Sequence, residues 1–315
     1  MDIKKFKIDE YINDGIARSI CLGYFDAIHL GHQKLIKKCI EDAKRKKIKS
    51  TLISFDTNPK SFINKKKIKE INTLTERLEI IEYFGIDEVI LLHFDNEFAD
   101  LTIDEFMVKV LDKLNPKSIT IGFDFTYGKK GSGNAASLKQ QLNNKCEVNV
   151  IQSVNNQEGK ISSTMVSQKL QLGKLSVVNN LLGYIYFIEG KVVKGSQIGR
   201  TIGFPTANLD YDSNLMIIKN GIYLGVASIN GKLYKAMCNI GVNPSINKQK
   251  SKRVEVHILN FDSDIYGDNL RFYFNKFVTF EKKYENKEEL IDALGKYKEL
   301  ASKQEVNFED IIVKG

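Results

Sequence analysis

Residues 21–36 read CLGYFDAIHLGHQKLI, and two of the chain's four histidines, His29 and His32, bracket Gly31 within them. Two imidazoles beside a glycine, where an apolar run gives way to a basic helical pattern, suit phosphate chemistry. The glycine lets backbone approach a phosphate closely, and both rings can donate to its oxygens. Such a site needs no covalent intermediate; it stabilises charge developing on an α-phosphate during an in-line displacement. On its own the motif is also compatible with one satisfied core histidine and one exposed one, so its place in the fold must decide.

A second group lies in KGSQIGRTIGFPTAN, residues 194–208. Gly195, Gly199 and Gly203, with Lys194 and Arg200, make a glycine-rich arch whose backbone N–H groups can wrap phosphates. Barrel turns use glycine too, so the arch alone is weak. Thr206 and Asn208 put a hydroxyl and an amide oxygen two apart, hence on one strand face. These are hard ligands of the kind that, with waters and phosphate oxygens, suit Mg²⁺. In RVEVHIL, Val254, Val256 and Ile258 alternate with Arg253, Glu255 and His257. The valine face packs inward, so Glu255 points the other way, as a general base or simply as a solvated strand carboxylate.

The elements carrying these groups come in two textures. The first half alternates strand-like and helical segments: strands over 19–25, 49–55, 88–94, 117–125 and near 146–152, with helices over 32–46, 74–84, 102–114 and 163–172, the last ended by Gly173. That alternation predicts βαβ units and a parallel sheet. The histidine loop then falls between a strand and a helix N-terminus, where open parallel sheets bind ligands. Residues 129–144, rich in Gly, Ser and Asn, are expected to form a mobile loop. After about 182, short alternating segments with glycine turns predict an antiparallel barrel or sandwich, and only 286–302 reads as helix. Pro59, Pro205 and Pro244 fall inside motifs.

At 315 residues, two domains are expected. No run is long and apolar enough for a membrane span, and the charged start lacks a signal peptide's apolar core. The four scattered cysteines show no metal or redox spacing and fit reduced thiols in a cytoplasmic protein. The net charge of +8 resides largely in short lysine runs such as 44–49 and 64–69. Without aromatics interleaved, these read as solvated faces, so no nucleic-acid partner is expected. No oligomeric state follows.

In order along the chain, GYFDAIHLGHQ, SFDTNPKSF, IGFDFTYGKKGSGN and ISSTMV resemble the nucleotidylyltransferase module of bacterial bifunctional riboflavin kinase/FAD synthetases. LLGYIYFIEGKVVKGSQIGRTIGFPTANL, NGIYLGV, CNIGVNPSI and VEVHILNFDSDIYG resemble the kinase module of the same family. The likeness runs from about residue 18 to 301. It implies an α/β nucleotidylyltransferase domain with a Rossmann-like parallel sheet over 1–180. An antiparallel β-barrel riboflavin kinase domain with a C-terminal helix follows over 181–315. The implied reactions are riboflavin and ATP to FMN and ADP, and FMN and ATP to FAD and pyrophosphate, with Mg²⁺ as metal and small molecules as partners.

The resemblance also implies roles. His29 and His32, with Gly23, Phe25, Gly31, Ser163 and Thr164, handle ATP phosphates, although an N-cap is the plain reading of the last two. Asp124 and Phe125 contact flavin and nucleotide. In the second module Lys194, Gly195, Arg200, Gly203 and Thr206 lie on the ATP side, and Thr206 and Asn208 hold the metal. Glu255 takes the proton of the riboflavin 5′-hydroxyl, and Asn239, Tyr266 and Gly267 border the flavin. Four positions depart from the family pattern: Asn58 before Pro59 for histidine, Ala27 for glycine, Ser167 for arginine and Thr279 for arginine. Lys169 is out of helical phase with Ser167, whereas Lys129 or Lys130 can supply the missing charge. The alternatives are a riboflavin kinase with a degenerate adenylyltransferase half and, from another class, a flavin- or nucleotide-binding regulator.

Overall fold

The computed structural model describes residues 1–8, 10, 13–143, 145–195, 197–242, 252–306 and 311, with Ile198 described by its backbone alone. Pro244 and the rest of CNIGVNPSI past Val242 lie outside the described residues. The chain divides into two compact units, Met1–Ser163 and Thr164–Gly315.

The first unit is built on six strands: β1 (Asp2–Phe6), β2 (Arg18–Leu22), β3 (Lys49–Phe55), β4 (Glu88–Leu92), β5 (Pro116–Gly122) and β6 (Glu147–Ile151). They pair in the order β1-β4-β3-β2-β5-β6, every pair parallel. β2, β3 and β4 are buried along nearly their whole length, polar residues included, as strands covered on both faces are. Ile20, Ile53, Ile90 and Ile119 are all buried in one core. β1 carries the polar DIKKF pattern of an edge strand, which is why its sequence does not announce a strand. Helix α1 (Leu30–Lys46) follows β2, and α2 (Leu74–Tyr83) precedes β4 behind a Thr73–Glu76 capping box.

Two segments differ from expectation. The 102–114 helix starts regularly at Ile103, then loosens into a π turn over Met107–Leu111 and a 3₁₀ turn over Asp112–Leu114. The 129–144 segment, expected as a loop, contains helix α3 (Ala135–Leu142). Asn134 caps it, accepting from Ala136 N at 2.9 Å and Ser137 N at 3.0 Å, and Leu138 and Leu142 are buried one turn apart. A polar cap box and two leucines at i, i+4 outweigh the loop-like composition.

In the second unit α4 (Ser163–Leu172), which straddles the division, and α5 (Leu175–Leu182) precede a barrel of six strands. These are β7 (Phe187–Val193), β8 (Ala207–Asp210), β9 (Gly221–Ile229), β10 (Lys232–Val242), β11 (Lys252–Ile258) and β12 (Asn269–Thr279). The barrel closes in the order β7-β8-β11-β10-β9-β12, all antiparallel. Helix α6 (Lys287–Lys303) packs on β9 and β10 through Ala301, Leu294 and Tyr297. The contact division falls before the 180/181 boundary read from the sequence because α5 belongs to the barrel. Asn179 Nδ2 donates to Phe274 O at 3.0 Å, and Tyr186 N–H donates to Asn179 Oδ1 at 2.9 Å. No described helix is long and apolar enough to cross a membrane. The four cysteines are free and buried.

Candidate active sites

After β2 the chain proceeds to β3 on one side, and the crossover from β4 places β5 on the other. The carboxyl ends of β2 and β5 therefore form the switch point at which such sheets bind ligands. The strand expected to reach Phe25 stops at Leu22, because Phe25, Ala27 and Ile28 take φ of 59°, 71° and 40°. At Ala27, where relatives of the resembled family have glycine, this costs about 1 kcal/mol. The tight turn delivers His29 as the N-cap of α1, and Gly31 N–H donates to His29 Nδ1 at 3.1 Å. In the neutral ring that bond leaves the proton on Nε2, ready to donate. A Cβ on Gly31 would lie only 3.0 Å from the His29 ring.

The His29 and His32 rings stack, with centroids 3.9 Å apart and planes at 19°. Burial, and then the Lys160 ammonium, push His29 down to about 4. Burial, His29 and Lys160 hold His32 well below the ordinary histidine value. Both imidazoles are thus neutral at pH 7, and His32 Nδ1 is buried with no hydrogen-bond partner among the described residues. Phe25 is buried against His32, ring centroids 5.2 Å apart, so it forms the wall behind the pair. Gly23 lies flat against that same ring.

Asp124, two residues beyond the end of β5, pairs with Lys160, whose ammonium lies 4.6 Å from the Phe123 ring centroid. Phe125 stacks on Tyr127 at 5.8 Å, and the rings continue through Phe106 to Phe98. Ser163 Oγ donates to Asp26 O at 2.8 Å, so this hydroxyl ties the histidine loop to the start of α4. Thr164 and Ser167 follow on α4 as part of the second unit. Lys129 pairs with Asp100 at 3.0 Å, and Asn58 caps the short helix Pro59–Ile63 while donating to Glu70 at 2.9 Å.

Three residues here escaped the sequence reading. Lys160 lies just ahead of ISST, but nothing in the sequence says that its hairpin returns to β5. Asp26 accepts from Ile71 N and Asn72 N, and burial pushes it up to about 6. Arg77 is buried, donates to Tyr24 O at 2.6 Å and lies 4.2 Å over the Tyr24 ring, bracing the loop from below.

In the barrel, strand register assembles the second site. Asn208 faces Glu255 across β8 and β11, and Glu255 faces Asn239 across β11 and β10. The same row continues through Ile222 to Thr279. Asn239 Nδ2 donates to Glu255 Oε2 at 3.5 Å, and Arg253 Nε lies 3.3 Å from that oxygen. Gly195 lies against Asn208: a Cβ there would come within 2.2 Å of its amide nitrogen. At Gly199 a Cβ would meet Phe204 O at 2.3 Å. Gly195 lets the arch pack onto β8, and Gly199 lets the arch fold back on Phe204.

Thr206 sits between two cavities. One, of about 300 Å³, is lined by Phe204, Asn239, Arg253, Glu255, His257 and Tyr297 among others. The other, of about 350 Å³, is lined by Arg200, Pro205, Asp262, Asp264 and Tyr266 among others. Asn239 and Tyr266, grouped above as flavin neighbours, thus border different cavities. Gly267 borders neither and donates from its N–H to Val192 O at 2.9 Å. Lys194, Gly195, Gly203 and Asn208 also line neither. His257, which alternation alone left as a strand polar residue, lies under the first cavity with Nδ1 2.7 Å from Pro205 O.

Comparison with known proteins assigns a family to each half of the chain. The FAD synthetase family matches residues 13–165 and the riboflavin kinase family residues 182–304. The chain is 32% identical over 295 residues to the bifunctional riboflavin kinase/FMN adenylyltransferase of Bacillus subtilis, covering 92% of this chain and 93% of that one. It is 33% identical over 283 residues to the protein of the same description from Listeria monocytogenes, covering 89% and 90%. A solved Streptococcus pneumoniae structure described as a macrolide-efflux protein superposes with a TM-score of 0.88 at 30% identity, covering 97% of this chain and 100% of that one. Both domains are present on one chain, which disfavours the kinase-only alternative. The protein belongs to the bifunctional riboflavin kinase/FMN adenylyltransferase family and is an enzyme with both activities.

Proposed function

We propose that the barrel phosphorylates riboflavin at a site centred on Glu255, and that the α/β unit adenylylates FMN at the stacked histidines. The observation that carries this reading is the cross-strand row Asn208–Glu255–Asn239, whose Glu255 and Asn239 line the first cavity, next to Thr206, which lines both. The first cavity, with Phe204, Tyr297 and apolar walls, suits the flavin; the second, with Arg200, suits the nucleotide. Glu255 takes the proton of the riboflavin 5′-hydroxyl while that oxygen bonds to the γ-phosphorus and ADP departs. Asn239 holds the carboxylate, and Arg200 offsets phosphate charge.

The donors available for a metal are the Thr206 hydroxyl and the Asn208 amide oxygen, the latter given room by Gly195. Among the described residues no group of three or more His, Cys, Asp or Glu could hold a metal. Two neutral hard oxygens fit Mg²⁺, which takes its remaining ligands from water and phosphates. When bound, such a metal would neutralise phosphate charge.

In the α/β unit an FMN phosphate oxygen bonds to the α-phosphorus of ATP and pyrophosphate leaves. The nucleophile is already an anion, so no base is required. His29 donates from Nε2 to phosphate oxygens as a neutral ring, and Lys160, released from Asp124, supplies positive charge. The aromatic run from Phe125 gives the flavin ring apolar faces. Free buried cysteines support a reducing, cytosolic setting.

Incubating the purified protein with riboflavin and Mg·ATP, and resolving flavins chromatographically, tests the scheme. Wild type should yield FMN, then FAD. Glu255→Gln should leave riboflavin unconverted yet turn supplied FMN into FAD, and His29→Ala should accumulate FMN. A variant that loses both reactions would refute the two-site assignment.

A further inference from the structure

Two polar atoms of residues lining the first barrel cavity are buried without a hydrogen-bond partner among the described residues: Asn239 Oδ1 and His257 Nε2. Buried polar atoms in native structures are nearly always paired, so such an atom on a cavity wall is a place for a ligand or water to bond. Of the two, His257 is the more constrained. The residue is 5% exposed, and its ring stands at 61° to Phe204, centroids 5.6 Å apart. Nδ1 lies 2.7 Å from Pro205 O. A carbonyl only accepts, so Nδ1 carries the hydrogen. In the neutral ring Nε2 is left with a lone pair and no proton. His257 therefore presents a fixed acceptor to the cavity, and the ligand must present a donor.

His257 shares a strand face with Glu255, two residues away along β11, a spacing of about 6.8 Å. With the 5′-hydroxyl at Glu255, the substrate groups reaching that distance are the remaining hydroxyls of the ribityl chain, since the flavin ring follows further on. We propose that His257 Nε2 accepts a hydrogen bond from a ribityl hydroxyl and so makes the kinase selective for a polyol side chain rather than for a flavin ring bearing any primary alcohol. The same ring, through Pro205, anchors the residue next to Thr206. Substrate polyol and metal-side segment are thus read by opposite nitrogens of one imidazole. The inference rests on the first cavity holding riboflavin.

The test is a cycle between protein and substrate, read as kcat/KM for phosphorylation by the full chain. The substrates are riboflavin, its 2′-, 3′- and 4′-deoxy analogues and N3-methylriboflavin; the proteins are wild type, His257→Phe and His257→Gln. One deoxy analogue should fall roughly tenfold below riboflavin with wild type and by much less with His257→Phe. Any structural harm from losing the Pro205 bond affects every substrate alike and cancels in this ratio. His257→Gln, which retains both a donor and an acceptor, should preserve the discrimination. Wild type that treats all three deoxy analogues like riboflavin overturns the proposal, whatever the variants do. So does a penalty that is undiminished in His257→Phe, and so does coupling of His257 to N3 methylation instead. Failure of wild type to phosphorylate riboflavin itself would instead sink the underlying assignment of the cavity.

Discussion

Gly195→Ala isolates the metal-side geometry with a single methyl group. A Cβ built on Gly195 lies 2.2 Å from Asn208 Nδ2, and real Cβ contacts essentially never fall below 3.0 Å, so the amide must withdraw by about 0.8 Å. Gly195 does not have a positive φ, so the backbone accepts alanine without strain. Asn208 can turn aside for roughly 0.5–1.5 kcal/mol of off-rotamer cost, small enough for the barrel to stay folded. A misplacement of about 1 Å in a reacting constellation costs on the order of 10²-fold in rate. The expected result is FMN formation reduced by about that factor and shifted to higher Mg²⁺. The rate of FAD formation from supplied FMN should stay within twofold of wild type. Gly295→Ala, in α6 with nothing within 4 Å of its Cβ, serves as the control and should leave both reactions unchanged. A Gly195→Ala protein with normal FMN formation and an unshifted Mg²⁺ requirement would refute the role given to Asn208.

Three further outcomes are expected. Lys160→Ala should slow FAD formation roughly ten- to hundredfold, the worth of a charge-assisted hydrogen bond, without affecting FMN formation. Lys129→Ala should do neither, since Lys160 and not Lys129 is the ammonium whose charge reaches both histidines; the reverse ranking would move the phosphate cation to the 129–131 turn. Because the folded state holds His29 at about 4 against 6.5 unfolded, the unfolded chain binds more protons between those values and stability falls on acidification through that window. At about pH 5 the deficit is roughly 2 kcal/mol. Melts at about pH 5 and 7 should show a smaller pH loss for His29→Gln than for wild type, a comparison in which the opposite slope of Asp26 cancels; equal losses would mean His29 is not held neutral. A fragment over 164–315 should fold and phosphorylate riboflavin. One starting at residue 183 should melt lower, because Leu175, Val178, Leu181 and Leu182 each bury about 1.5–3 kcal/mol of apolar side chain and Asn179 bonds two barrel backbone groups. Equal melting points would mean α5 is not part of the barrel's core.

Much of this protein is local in its sequence. The strand-like segments of β2 to β5, the helical periods between them and the glycine-punctuated alternation after residue 182 each follow from chemistry within a dozen neighbouring positions. For that reason a parallel α/β unit and an antiparallel barrel could both be read without coordinates. One turn groups His29, Gly31 and His32, and strand alternation assigns Thr206, Asn208 and Glu255 each to a face. Local pattern still left the histidines and Glu255 with bland alternatives, and the roles proposed for them came from the resemblance to the family. Composition misled at 129–144, where the Asn134 cap and the pair Leu138 and Leu142 make a helix from loop-like residues.

Tertiary structure alone decided what meets what. Strand register, which no single strand encodes, aligned Asn208, Glu255 and Asn239, residues up to 47 positions apart on three strands. Crossover topology, set by how the whole sheet packs, brought Lys160 and Asp124 beside His29 and buried Arg77 beneath the loop. The neutrality of both histidines is likewise a property of the assembled site. An imidazole's charge depends on the water it loses and the ammonium it faces, and both are fixed only when distant segments close around it.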